Sequence, residues 1–187
     1  GENAIDRAVE QLLAEGGKFA EAYGALLLND VYGEKLGIAA ASPDSGPLSM
    51  TAGLLKTEDG LIKLSVDIRY PETADGESIA ETVRRAAEPY GFTLGPVQPE
   101  QSVYQDKNSP VMQGLLAAYR QETGDFSAPL SIGGGTYAKA MDNIIAFGPV
   151  FPGEEAREHQ PDEYIALDNI EKLRRIYAQA FRNLLEL

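Results

Sequence analysis

Two apolar-patterned segments joined by Glu58-Asp59-Gly60 constrain the fold of this chain more than any other feature. Leu48 to Thr57 reads as extended. The return segment, Leu61 to Tyr70, alternates: Ile62, Leu64, Val66 and Ile68 face one way, and Lys63, Ser65, Asp67 and Arg69 the other. Glu58-Asp59-Gly60 supplies the turn of a hairpin between them. Pro71 stops the return strand, having no N–H to give to a ladder. A sheet that is apolar on one face must be covered on that face, and the flanking sequence supplies helices. Ile5, Ala8, Val9, Leu12 and Leu13 recur at helical spacing from Ala4 to about Ala14, with Asn3 as N-cap and Gly16-Gly17 as the stop. A second helix is expected from Phe19 to about Leu28. A third, capped by Asp75, runs through about Glu88 with Ile79, Val83, Ala86 and Ala87 on its apolar stripe. A strand near Phe92–Val97 would complete the order αββαβ. That order predicts an α+β fold with a ferredoxin-like module, an antiparallel sheet with helices on one face. Residues 33 to 47 read as a loop containing a short extended piece at Leu36–Ala39.

Beyond a loop over Pro96–Asn108, Ser109-Pro110 marks a helix start, since proline is favoured at the first helical position. Met112, Leu115, Leu116 and Tyr119 form its apolar face, and Gly124 ends it. Pro129–Ile132 and Ile144–Phe147 read as short buried strands. A long loop, Gly148–Glu163, leads to an amphipathic helix from Asp168. Asp168 and Glu171 resemble a capping box there, and Ile170, Leu173, Ile176, Tyr177, Ala180, Phe181 and Leu184 line the apolar side.

Composition excludes several classes. With 43% apolar and 24% charged residues in 187, the chain is an ordinary folded one. A net charge of −13 argues against nucleic acid and against an anionic membrane surface, both of which need a basic face. No apolar run approaches the ~20 residues of a spanning helix. There is no cysteine, so disulfides and thiolate metal sites are out, and a reducing compartment, the cytoplasm, is the expectation. The first residue is Gly1 and not Met, as in a piece excised from a longer protein.

Three places could carry chemistry. Gly133-Gly134-Gly135-Thr136 follows an apolar run, so its backbone N–H groups could approach a carboxylate, phosphate or oxyanion closely; equally, three glycines could serve a tight turn. Neither the phosphate-loop nor the dinucleotide pattern is present. His159, the only histidine, lies among Glu154, Glu155, Glu158, Asp162 and Glu163. It could ligate a metal or shuttle protons, or be a solvated bystander. One histidine cannot make a zinc site of ~3 protein ligands, and Ser131 lacks the pattern around a serine nucleophile. Arg69 ends the polar face of its strand, where a guanidinium could clamp a carboxylate or pair with Asp67.

Four motifs in order, Asp67-Ile-Arg-Tyr-Pro71, Ser131-Ile-Gly-Gly-Gly-Thr-Tyr137, Ala146-Phe-Gly-Pro149 and His159-Gln-Pro-Asp-Glu-Tyr-Ile165, resemble the C-terminal part of PepV-type dipeptidases. These belong to the family of dinuclear-zinc aminoacylases, carboxypeptidases and dipeptidases. The resemblance extends from Gly1-Glu-Asn-Ala4 through Tyr32-Gly-Glu-Lys-Leu-Gly37 to the last helix.

In that family an inserted lid covers a catalytic domain that holds two zinc ions. The resemblance implies that residues 1–110 are most of a lid lacking its first strand, and that 111–187 close the catalytic domain. It implies that His159 ligates one zinc, that Arg69 binds the terminal carboxylate of a dipeptide substrate, and that Gly134, Gly135 and Thr136 line the pocket. The family's other zinc ligands, its general base and its lid histidine have no counterpart in this chain. It is therefore expected to be inactive alone and to self-associate through exposed strand edges. Asp162 stands where the family commonly has Asn. The rival reading is a non-catalytic ferredoxin-like module that binds a small ligand or serves assembly.

Overall fold

The computed structural model describes residues 2–100, 102–141, 144–148, 150–155 and 157–187. Pro149, the end of the third motif, and Gly1 lie outside them. The chain divides into two compact units, Gly1–Val103 and Tyr104–Leu187.

In the first unit, α1 (Ala4–Glu15) and α2 (Lys18–Leu26) precede a miniature hairpin of β1 (Ala41–Ser42) and β2 (Gly46–Pro47). Next come β3 (Ser49–Glu58), β4 (Leu61–Arg69) and α3 (Gly76–Ala87). Asn3 caps α1 as expected, its Oδ1 accepting from the amides of Ile5 and Asp6 at 2.8 and 3.4 Å. Its Nδ2 donates to the Ala52 carbonyl at 2.9 Å, tying the helix to β3. Lys35 Nζ donates to the carbonyls of Gly24, in the last turn of α2, and Leu28, just beyond it, satisfying groups the helix leaves open. Gly33 has φ 72°, and a Cβ there would lie 2.4 Å from Ile38 Cγ1, so only glycine fits.

The long hairpin closes through Asp59 (φ 53°) and Gly60 (φ 75°), the left-handed pair that matches the twist of the flanking strands. Its register runs from Ser49 opposite Arg69 to Glu58 opposite Leu61, with one irregularity between Ala52 and Leu54. Gly53 is the extra residue, and it moves Leu55 instead of Leu54 opposite Leu64. Leu64, Val66 and Ile68 face the helices. Val66 and Ile68 pack with Ile79, Val83 and Ala86 of α3 around Leu36, Ile38, Leu48 and Met50. Leu64 and Ala52 pack around Val9, Ala20 and Tyr23 of α1 and α2. Helices thus cover one face, and the fold is α+β.

Several expectations change. No strand forms at Phe92–Val97, and among the described residues the sheet of β3 and β4 has no third strand. Gly95-Pro96 interrupts that segment, and proline cannot donate to a ladder. Leu36–Ala39 is irregular; the pairing occurs just after it, in β1 and β2.

The second unit is built on α4 (Pro110–Thr123) and α5 (Leu167–Leu185). Ser109 caps α4, accepting from Met112 N at 3.3 Å, and Gly124 ends it at φ 70°. The helices run antiparallel: Asn183 Nδ2 donates to the Gly114 carbonyl at 2.9 Å, and Arg175 Nε to Glu122 at 3.2 Å. Leu173 and Ile176 close a core with Phe151, against which Tyr119 and Phe147 pack. Pro129–Ile132 and Ile144–Phe147 do not pair as strands, since a strand exists only beside a hydrogen-bonding neighbour and none runs alongside them among the described residues. The capping box at α5 is not made either. Ala166 occupies the cap without a side-chain bond, and Glu171 pairs instead with Arg174 at 2.7 Å. Only Leu173, Ile176 and Ala180 of the expected α5 stripe are buried; Ile170 is exposed, as is Phe181 at 69%. Among the described residues no helix is long and apolar enough to cross a membrane.

Candidate functional site

Arg69 is the last residue of β4, on the face away from the helices. Its Nε and Nη2 both donate to one oxygen, Oδ2 of Asp67, at 3.2 and 3.1 Å. Both side chains are about half exposed (55% and 56%), and a pair of that kind is worth only about 0–1 kcal/mol.

The glycine loop belongs to the second unit. Thr136 caps the turn Tyr137–Lys139, its Oγ1 accepting from Ala138 N at 3.1 Å. A Cβ on Gly134 would meet nothing within 4 Å, and one on Gly135 would meet only the Lys139 side chain, at 3.2 Å and beyond. Neither glycine has left-handed backbone. Nothing in this chain's own packing therefore requires glycine at 134. The loop is open to solvent, with Tyr137 93% exposed.

His159 is exposed, and its φ of 63° is left-handed, as is that of Asp162 at 58°. Asn and Asp are the non-glycine residues that visit this region most readily, so the exchange of Asn for Asp at 162 leaves the turn intact. The His159 amide donates to Glu163 at 3.4 Å, and Gln160 N to the Arg157 carbonyl at 3.1 Å. The Arg157 guanidinium lies 5.2 Å from the centre of the Tyr164 ring.

The loop before His159 is anchored by residues that sequence patterns did not single out. Glu154 accepts from Asn169 Nδ2 at 2.6 Å and from Phe151 N at 3.2 Å, while Tyr177 OH donates to the Phe147 carbonyl at 2.8 Å. Asn169 is buried, and a buried amide must find such a partner. In sequence Glu154 is merely one of several acids, and only a polar residue at a core-facing position of α5 hints at the contact.

The Asn169 and Phe151 hydrogen bonds hold the Glu154 carboxyl below its ordinary value of 4.5. A group depressed on folding contributes stability above its unfolded pKa and loses it as pH falls through the folded one. The urea midpoint of the second unit is accordingly expected to fall as pH drops below about 4.5, and Glu154→Gln to make that fall shallower. An unchanged acid limb in the variant would contradict the assignment.

A cleft of about 340 Å³ lies in the first unit, lined by Glu2, Asn3, Asp6, Tyr23, Asp30 and Met50 among others. Tyr23 OH donates to Asp6 at 2.5 Å, and burial first, then Asp6, pushes its hydroxyl pKa up. None of Arg69, Gly134, Gly135, Thr136 or His159 lines it. Among the described residues no three His, Asp or Glu side chains gather to hold a metal ion.

No family model matches the chain. It is 34% identical over 170 residues to a Bacillus subtilis (strain 168) protein described as "Putative dipeptidase YtjP", covering 90% of this chain and 36% of the relative. A Staphylococcus aureus (strain USA300) protein, also described as a "Putative dipeptidase", is 35% identical over 161 residues, 84% of this chain and 34% of the relative. The chain thus spans about a third of the length of the curated relatives it matches.

Proposed function

We propose that this chain is part of a zinc-dependent dipeptidase of the PepV type, contributing substrate-binding residues and one metal ligand. The observation that carries the reading is 34–35% identity to proteins described as putative dipeptidases over 84–90% of the chain. Residues 1–110 would form the lid and 111–187 the end of the catalytic domain, in the cytoplasm.

Each site residue has a chemical part in this reading. Arg69 exchanges its exposed Asp67 partner for the C-terminal carboxylate of the dipeptide, gaining a bidentate contact that the single-oxygen pair lacks. Gly134, Gly135 and Thr136 leave room for substrate to approach the backbone, which accounts for a glycine at 134 that the chain's own packing does not require. His159 supplies one zinc ligand. The remaining ligands and the general base would come from the rest of a polypeptide as long as the relatives. Zinc, when bound, would polarise the peptide carbonyl and activate water. The rival non-catalytic module would explain neither the glycine at 134 nor the match to dipeptidases across both units.

The chain alone is expected to bind zinc weakly and to hydrolyse no dipeptide. Calorimetric titration with zinc and a ninhydrin assay on dipeptides test this. Tight stoichiometric binding with turnover by the isolated chain would contradict the division of labour.

A further inference from the structure

The open end of the long hairpin is held by a side-chain network that the reading above does not use. Glu72 lies three residues after Arg69, and one hydroxyl binds each of its carboxylate oxygens: Ser42 Oγ donates to Oε1, and Ser45 Oγ to Oε2. Ser42 is buried, and its Oγ also accepts from the amides of Asp44 and Ser45 at 3.1 and 3.5 Å. The turn is therefore built around the hydroxyl that grips the carboxylate. Those serine bonds hold the Glu72 pKa below its ordinary value.

The location is what gives the network a consequence. Residues 42–45 belong to the turn leading into β3, and Glu72 follows the end of β4. The clasp therefore joins the two chain segments that leave the hairpin at its open end. There the final pair is Ser49 opposite Arg69. Terminal pairs fray when nothing beyond them is fixed. Between Arg69 and Glu72, Tyr70 is pinned twice more: Ser102 Oγ donates to its carbonyl at 2.9 Å, and its OH donates to the Glu100 carbonyl at 2.6 Å. Pro71 is buried. Arg69 is the last residue of β4, so its backbone runs directly into this pinned segment.

We infer that Glu72, gripped by Ser42 and Ser45, is a positioning residue for Arg69: it closes the open end of the hairpin and so fixes where the guanidinium meets a carboxylate ligand. The inference rests on the proposed role of Arg69. Because a misplacement of ~1 Å can cost up to ~100-fold, loosening this end would act on substrate affinity before it acted on stability.

Two measurements test it. In the chain itself, amide hydrogen exchange of Glu72→Ala and of Ser42→Ala/Ser45→Ala should quicken about tenfold around Ser49 and Arg69, and stay unchanged at the Glu58–Leu61 end. Unaltered exchange, or equal acceleration along the whole hairpin, would overturn the clasp. In the complete polypeptide, Glu72→Ala should raise KM for a dipeptide about tenfold with kcat within about twofold, leave a dipeptide amide unaffected, and add nothing to Arg69→Ala. If Arg69→Ala raises KM and Glu72→Ala does not, the clasp alone is refuted. If Arg69→Ala itself leaves KM unchanged, the reading of Arg69 falls and takes this role for Glu72 with it.

Discussion

Replacing His159 by alanine in the complete polypeptide is expected to lower kcat/KM for dipeptides by at least about 1,000-fold, roughly 4 kcal/mol of transition-state stabilisation. Bound zinc, measured by atomic absorption after gel filtration, should fall in step. The fold should survive, because His159 is exposed and its bond to Glu163 is made by the backbone amide, which alanine retains. The left-handed φ at 159 strains alanine by about 1–2 kcal/mol, so His159→Asn, better suited to that backbone, is the cleaner variant. Activity and metal content close to those of the unaltered protein in both variants would remove His159 from the site.

Arg69→Ala should give the second-largest effect. Hydrogen bonds to charged groups contribute about 1.5–3 kcal/mol each, so losing a bidentate carboxylate clamp should reduce kcat/KM by about 100-fold or more. Arg69→Lys keeps the charge without the fork and should recover only part. The diagnostic comparison is a dipeptide amide, which has no carboxylate to clamp: the same variants should change its hydrolysis less than about threefold. Equal losses on dipeptide and amide would point to a structural role. The lost Asp67 pair alone cannot account for the predicted effect, since an exposed pair is worth about 0–1 kcal/mol.

The parts of the fold legible in sequence are those decided by a few adjacent residues. Asn3, Asp75 and Ser109 cap helices because a short polar side chain can reach an amide two or three residues on. Asp59-Gly60 turns the hairpin for an equally local reason. The segments at Phe92–Val97, Pro129–Ile132 and Ile144–Phe147 were not decidable this way, because strand formation depends on a neighbour and not on apolar content. The stripe of α5 shows the same limit. Periodicity identifies which side is apolar, but burial requires something to cover it, and within the second unit only Leu173, Ile176 and Ala180 of that stripe are buried.

The candidate site divides similarly. Arg69, the glycine loop and His159 stood out by residue type and spacing. The groups that hold their surroundings did not: Glu72 with Ser42 and Ser45, and Glu154 with Asn169, are joined across 15 to 30 residues. No local pattern announces such pairs. Their only trace is a polar residue where the surrounding periodicity asks for an apolar one, as at Asn169.

The most direct test is dipeptide hydrolysis by the complete polypeptide that carries this chain, assayed as isolated, after chelation and dialysis, and after zinc is restored. Turnover that chelation abolishes and zinc restores is the expected result. A complete, folded polypeptide that hydrolyses no dipeptide with zinc present, or one whose activity survives full metal removal, would contradict it.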